Sequence, residues 1–219
     1  MAIVPEGING PVRGTVGNLV FYRVGRQTRV RSLPSLPKKK RKPTELQALQ
    51  RGKFAVMQCW MKPMKRLFRI GFADPNSPRT GHNAAMSYNM NHALIYQDGK
   101  YRVDPRAFKF SKGSLAPPAN AAAEQTDGGI HFTWEPPVDG YSPGWLRTML
   151  LVYNPDGEGS NCWFRVYGAD AKKCQDLLDT EILNLEQGDT YHAYMAFIDQ
   201  ETGQVSDSVY AGAVVMQGK

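Results

Sequence analysis

Long apolar runs are missing from this 219-residue chain. No stretch approaches the roughly 18 residues that a helix needs to cross a bilayer. Cysteine is scarce, with only Cys59, Cys162 and Cys174. Three thiols cannot build a disulfide framework, and their spacing matches no zinc pattern. The first residues lack both the basic start and the apolar stretch of a secretory signal. The expected location is therefore cytoplasmic or within an assembled particle. Catalytic signatures are lacking as well: there is no H-E-x-x-H, no G-x-x-x-x-G-K-[ST] and no Ser-His-Asp grouping on a recognisable elbow. His82 and His92 have no carboxylate close in sequence and make a poor metal site. The expectation is a protein that is not an enzyme and has no cofactor and no metal.

Acid is also scarce, but only at one end. The formal net charge of +7 divides into +14 over residues 1–72, +3 over 73–115 and −10 over 116–219. Within the first 72 residues the only acids are Glu6 and Glu45. Such asymmetry suits a basic end made for an acidic partner and a C-terminal part that stays soluble alone. The alternative is that the two halves attract each other within one molecule. Hydrophobic residues at 42% and charged residues at 21% are ordinary for a globular chain, so wholesale disorder is not expected.

The strongest local signals are strands first, then helices, then strands again. Segments 15–23 and 27–33 are β-branched and aromatic, with Gly25 between them, which predicts a hairpin. In a strand, Arg29 and Arg31 point the same way. The connector 34–43 holds Lys38, Lys39, Lys40, Arg41 and Lys42 between prolines, so it should be extended and solvent-facing. Residues 37–42 match a short nuclear-import pattern, although a plain polyanion contact accounts for the same charges.

Thr44 and Gln47 form a capping-box pattern. An apolar stripe then runs from Leu46 through Met57, Trp60 and Met64 to Phe68, with Pro63 expected to kink it. Arg51 and Lys53 sit on this helix, and Cys59 reads as a small buried hydrophobe. A second helix is predicted over 80–95 and short strands over 100–115. The stretch 114–123 resembles a linker and coincides with the charge inversion. Beyond it, short strands near 130–135, 145–153, 162–167, 190–198 and 209–216, separated by turn residues, predict a sandwich. A short helix is expected over 171–178. The fold class is α+β, a basic N-terminal β-hairpin and helical region (1–115) followed by an antiparallel β-sandwich (116–219).

Leu185-Glu-Gln-Gly188-Asp-Thr-Tyr191, followed by Ala193, Met195 and Phe197, resembles the tyrosine-corner region of fibronectin type III domains, with Trp134 in the place of their early core tryptophan. That resemblance implies a fibronectin type III-like module over 116–219, with a buried Tyr191. The chain as a whole is similar to an uncharacterised domain-of-unknown-function family from the Bacteroidota. Gly7-Ile-Asn-Gly-Pro11, Gly14-Thr-Val-Gly-Asn18, Arg29-Val-Arg-Ser-Leu-Pro34, Pro43-Thr-Glu-Leu-Gln47 with Gln50-Arg-Gly-Lys-Phe54, Ile70-Gly-Phe72 and Asn83-Ala-Ala-Met-Ser-Tyr-Asn89 carry the likeness, best over residues 1–115. It implies a grouping and no activity.

The expected function is that of a structural or interaction protein. Its basic residues Arg29, Arg31, Lys38, Lys39, Lys40, Arg41, Lys42, Arg51 and Lys53 would bind an acidic macromolecule, either nucleic acid or an acidic protein surface. The alternative is a subunit of a phage-like or cell-surface assembly, whose N-terminal strands pair with a neighbour in self-assembly.

Overall fold

A computed structural model describes residues 2–4, 12–25, 27–35, 42–135, 145–156, 162–179 and 188–216. The chain divides into two compact units, Met1–Thr44 and Glu45–Lys219. The division expected at 115/116 is not where the structure parts; the reason lies in the core described below.

The first unit is a four-stranded antiparallel sheet built from β1 (Ala2–Val4), β2 (Gly14–Val16), β3 (Leu19–Val24) and β4 (Gln27–Ser32), in the order β1-β4-β3-β2. The predicted hairpin is its centre, and Val24 pairs with Gln27 across a turn that uses Gly25 at φ 61°. That positive φ is why glycine stands there. Gly17, at φ 57°, turns β2 into β3 in the same way.

The second unit opens with α1 (Glu45–Met61). A single 3₁₀ turn, Lys62–Met64, carries Pro63, and α2 (Lys65–Gly71) resumes beyond it. The expected kink is thus a break of one turn, placed where proline removes a helical donor. Thr80 caps α3 (Gly81–His92) by accepting from the Asn83 amide at 3.3 Å. The helix ends before the expected 95, because Leu94 already begins a hairpin of β5 (Leu94–Gln97) and β6 (Lys100–Val103).

Two further sheets follow. β7 (Ala119–Thr126), β8 (Gly129–Glu135) and β11 (Gln175–Asp179) form one, in the order β11-β8-β7. The other holds β9 (Leu146–Tyr153), β10 (Cys162–Asp170), β12 (Thr190–Asp199) and β13 (Val209–Val215), in the order β10-β9-β12-β13. The helix expected over 171–178 is instead a 3₁₀ turn at Ala171–Lys173 and then β11. Cys174 takes the left-handed φ of 53°, which stops any helix from continuing.

Alternation along β9 and β12 shows how the layers stack. Leu150, Val152, Tyr191, Ala193, Met195 and Phe197 face Ile130, Phe132 and Trp134 of β8, and they form the interior of the sandwich. Their neighbours Met149, Leu151, Tyr153, Tyr194, Ala196 and Ile198 face the other way. There they meet Met57, Met61, Met64, Leu67, Phe68, Phe108 and Phe110 in a second core. The central sheet is therefore buried on both faces, between β8 on one side and the helices on the other. A boundary at 115/116 would cut through this second core.

Close backbone approach seals the same seam. A Cβ on Gly71 would lie 2.2 Å from the Phe110 carbonyl oxygen, and one on Gly113 would lie 1.9 Å from that of Val205. The Ser208 hydroxyl accepts from the amides of Phe110 (3.0 Å) and Ser111 (3.3 Å). Buried Asn89 of α3 donates to the Lys109 carbonyl and accepts from the Lys109 amide, both at 2.9 Å. Lys109 also pairs with Asp207.

Candidate polyanion-binding surface

The first unit gives its two faces different chemistry. Register pairs Tyr22 with Arg29 and Val20 with Arg31, so all four residues share one face. The opposite face carries Val16, Leu19, Phe21 and Val30. Period-two alternation in β4 thus separates the arginines from the apolar side, as the sequence predicts.

The Arg31 guanidinium carbon lies 5.7 Å from the centroid of the Tyr22 ring, which is cation–π distance. Arg29 Nη2 donates to Gln27 Oε1 at a long 3.4 Å, and its Nε is buried without a hydrogen-bond partner among the described residues. Neither guanidinium has a carboxylate partner among the described ion pairs. A planar, permanently charged group held over an aromatic ring, with donors to spare, is suited to phosphate or carboxylate oxygens.

The remaining residues expected at the site fall in three places. Lys38, Lys39, Lys40 and Arg41 lie outside the described residues. Lys42 is exposed just ahead of α1. Arg51 and Lys53 belong to the second unit; Arg51 is exposed, whereas half-buried Lys53 holds its ammonium 5.1 Å from the centroid of Tyr101. Sequence reasoning missed both tyrosines, because cross-strand register and helix–hairpin contact bring them to their cations.

The residues that could suggest other chemistry have structural surroundings. Burial pushes the Cys162 thiol up to about 12, which keeps it protonated and weakly nucleophilic at neutral pH. Cys59, expected to be buried, is exposed. His92 Nδ1 lies 2.8 Å from the Tyr88 carbonyl oxygen and its ring stacks on Tyr88 at 4.2 Å.

His192 is held below its ordinary pKa of 6.5, first by burial, with Asp156 opposing in the other direction. Its Nδ1 sits 3.0 Å from the Tyr210 hydroxyl and its ring lies against Trp60. Burial, and next Lys65, lower His82 in the same sense. The unfolded chain takes up these protons first, so the stability these groups contribute is present above pH 6.5 and is lost as pH falls through their folded values. Thermal midpoints are expected to decline between about pH 7.5 and 5.5, and less steeply in His192→Gln. Equal slopes for the two proteins would contradict this assignment.

No curated protein matches the chain. Its residues 13–212, which span the arginine-bearing strands, the helices and the sandwich, match one family profile, and the chain belongs to that family, DUF6266, a family of unknown function.

Proposed function

We propose that this protein is a non-enzymatic interaction protein whose basic N-terminal region binds a polyanion, and that the polyanion is nucleic acid. The observation that carries this reading is the shared face of Tyr22, Arg29 and Arg31, with Arg31 over the tyrosine ring. Arginine beside a half-buried aromatic ring offers phosphate contact with room for stacking on the guanidinium plane. The lysine run at 38–42 adds charge next to it in sequence, with no acid between Glu6 and Glu45. We read the C-terminal sandwich as fibronectin type III-like, a reading supported by the strand order β10-β9-β12-β13 against β11-β8-β7 and by the buried ring of Tyr191.

One observation favours a second reading, a subunit of an assembly. Val16, Leu19 and Leu33 of the first unit are 63%, 45% and 52% exposed. A thin sheet that exposes this much apolar surface suits pairing with another chain.

Fluorescence anisotropy of a labelled oligonucleotide at several salt concentrations separates the two. Each neutralised duplex phosphate contributes a log–log salt slope of about −0.9. Replacing Arg29 and Arg31 together by glutamine is therefore expected to weaken binding and flatten the slope by about 2, irrespective of base sequence. If the unaltered protein fails to bind at low salt but forms oligomers on a sizing column, the assembly reading replaces the nucleic-acid one.

A further inference from the structure

The hairpin of β5 and β6 carries chemistry that the preceding reading does not use. Its turn, Asp98-Gly99, has φ values of 51° and 75°, the double positive φ of a tight two-residue connection. Register then places Tyr96 opposite Tyr101 on one face, and pairs Ile95 with Arg102 and Gln97 with Lys100 on the other. The two tyrosine rings lie 4.9 Å apart at 54°. From α1, Lys53 sets its ammonium over Tyr101. Tyr101 is partly covered, but Tyr96 is 65% exposed.

A cross-strand tyrosine pair stabilises a hairpin, and that alone would explain Tyr101. It does not explain a second ring left mostly in water on the face that Lys53 approaches. Lys100 and Arg102, on the hairpin's other face, and Arg51 on α1 are all exposed. The wider segment 45–115 carries twelve Lys and Arg against four Asp and Glu. An aromatic ring offered to solvent on a face that also holds a lysine has the elements of a stacking platform for unpaired bases, in which the ring takes a base and the cation meets a phosphate. Duplex bases are already stacked on one another and cannot use the ring. An acidic peptide would use the cations and leave the ring idle.

We infer that the β5–β6 hairpin and the adjoining α1 form a binding site for single-stranded nucleic acid, with Tyr96 as the stacking ring and Lys53, held over Tyr101 on the same face, as the phosphate contact. This site shares with the reading above the class of partner and, of the residues expected to bind it, Lys53; its stacking ring, Tyr96, belongs to this site alone.

The test uses the full chain and three probes at low salt: a labelled oligothymidylate of about 15 nucleotides, the matching duplex, and polyglutamate. Tyr96→Ala removes the ring at an exposed position, whereas Tyr96→Phe keeps it; circular dichroism checks that both remain folded. Tyr96→Ala is expected to weaken single-strand binding by roughly 5- to 150-fold and to leave duplex binding unchanged, while Tyr96→Phe binds like the original protein. Single-strand binding that survives Tyr96→Ala overturns the inference, even where Arg29→Gln with Arg31→Gln abolishes duplex binding and so upholds the earlier reading. Equal loss in the alanine and phenylalanine variants overturns stacking as the mechanism. Tighter binding of polyglutamate than of the oligothymidylate shows a protein-type partner and overturns it also. If no nucleic acid binds at all, both readings fall together.

Discussion

A fragment beginning at Ala119 is expected to give a collapsed amide spectrum, while a fragment beginning at Glu45 gives a dispersed one. The shorter piece keeps the seven described strands of the sandwich but strips the outer face of its central sheet. Met149, Leu151, Tyr153, Tyr194, Ala196 and Ile198 would lose Met57, Met61, Met64, Leu67, Phe68, Phe108 and Phe110, all of them buried in the intact unit. Each large apolar side chain moved from the interior to water costs about 1.5–3 kcal/mol. Six central-sheet residues, five of them large, therefore forfeit a sum comparable with the whole stability of a domain of this size. The hydrogen bonds of Ser208 to Phe110 and Ser111 go with them, leaving buried polar groups unpaired. Residues 45–219 retain both cores, so that fragment should melt cooperatively. A cooperative transition in the fragment from Ala119 would show that the helices decorate the sheet without stabilising it.

The sequence contains the clue to this sharing, in the difference between strands. Ile130-His-Phe-Thr-Trp-Glu135 alternates, and its strand is buried on one face only. Met149-Leu-Leu-Val-Tyr153 and Tyr194-Met-Ala-Phe-Ile198 do not alternate, and their strands are covered on both. An unbroken apolar run is how a strand in a middle layer reads. Counting strands and turns yields the sandwich correctly but leaves its second covered face unnoticed. The charge inversion near 116 marks a change of surface, and it says nothing of the core, because surface charge and interior packing are set by different residues.

The candidate surface was legible to a similar degree. Alternation alone places Arg29 and Arg31 on one side of a strand. Their aromatic neighbour is set by a register of Tyr22 against Arg29, which follows from a two-residue turn and not from any local pattern. The same holds for Lys53 and Tyr101, brought together from a helix and a hairpin.

The helix expected over 171–178 failed for a reason that leads to the other large effect. In β11 the usual assignment of polar out and apolar in is partly reversed: Asp176 is 8% exposed and Leu177 is 40% exposed. Gln-Asp-Leu-Leu therefore does not look like a strand, and only the surroundings of the buried carboxylate explain it. Asp176 accepts from the Thr148 hydroxyl, from the amides of Ala169 (2.9 Å) and Leu177 (2.9 Å), and from Arg165 Nη1 (3.2 Å). These donors come from β9, β10 and β11, so one side chain ties the two sheets together where β10 crosses over. The chain bends around it, with Tyr167 at φ 64° and a register shift in β10 between Val166 and Asp170. Gly168 leaves the room, since a Cβ there would lie 2.3 Å from both the Asp176 carboxylate and the Thr148 hydroxyl.

Asp176→Ala strands four donors at once, two of them backbone amides with no other acceptor shown, and should destabilise the second unit by about 3 kcal/mol. Asp176→Asn keeps the volume and can still accept from one side, so a loss of about half that size is expected. Urea melts of residues 45–219 measure both, and the order alanine worse than asparagine worse than the original is the decisive reading. Gly168→Ala should fall near the alanine variant, because its methyl group must push the carboxylate off its donors. A midpoint for Asp176→Ala equal to that of the original protein would mean that water replaces the carboxylate freely, and that the two sheets are held at this end by apolar packing alone.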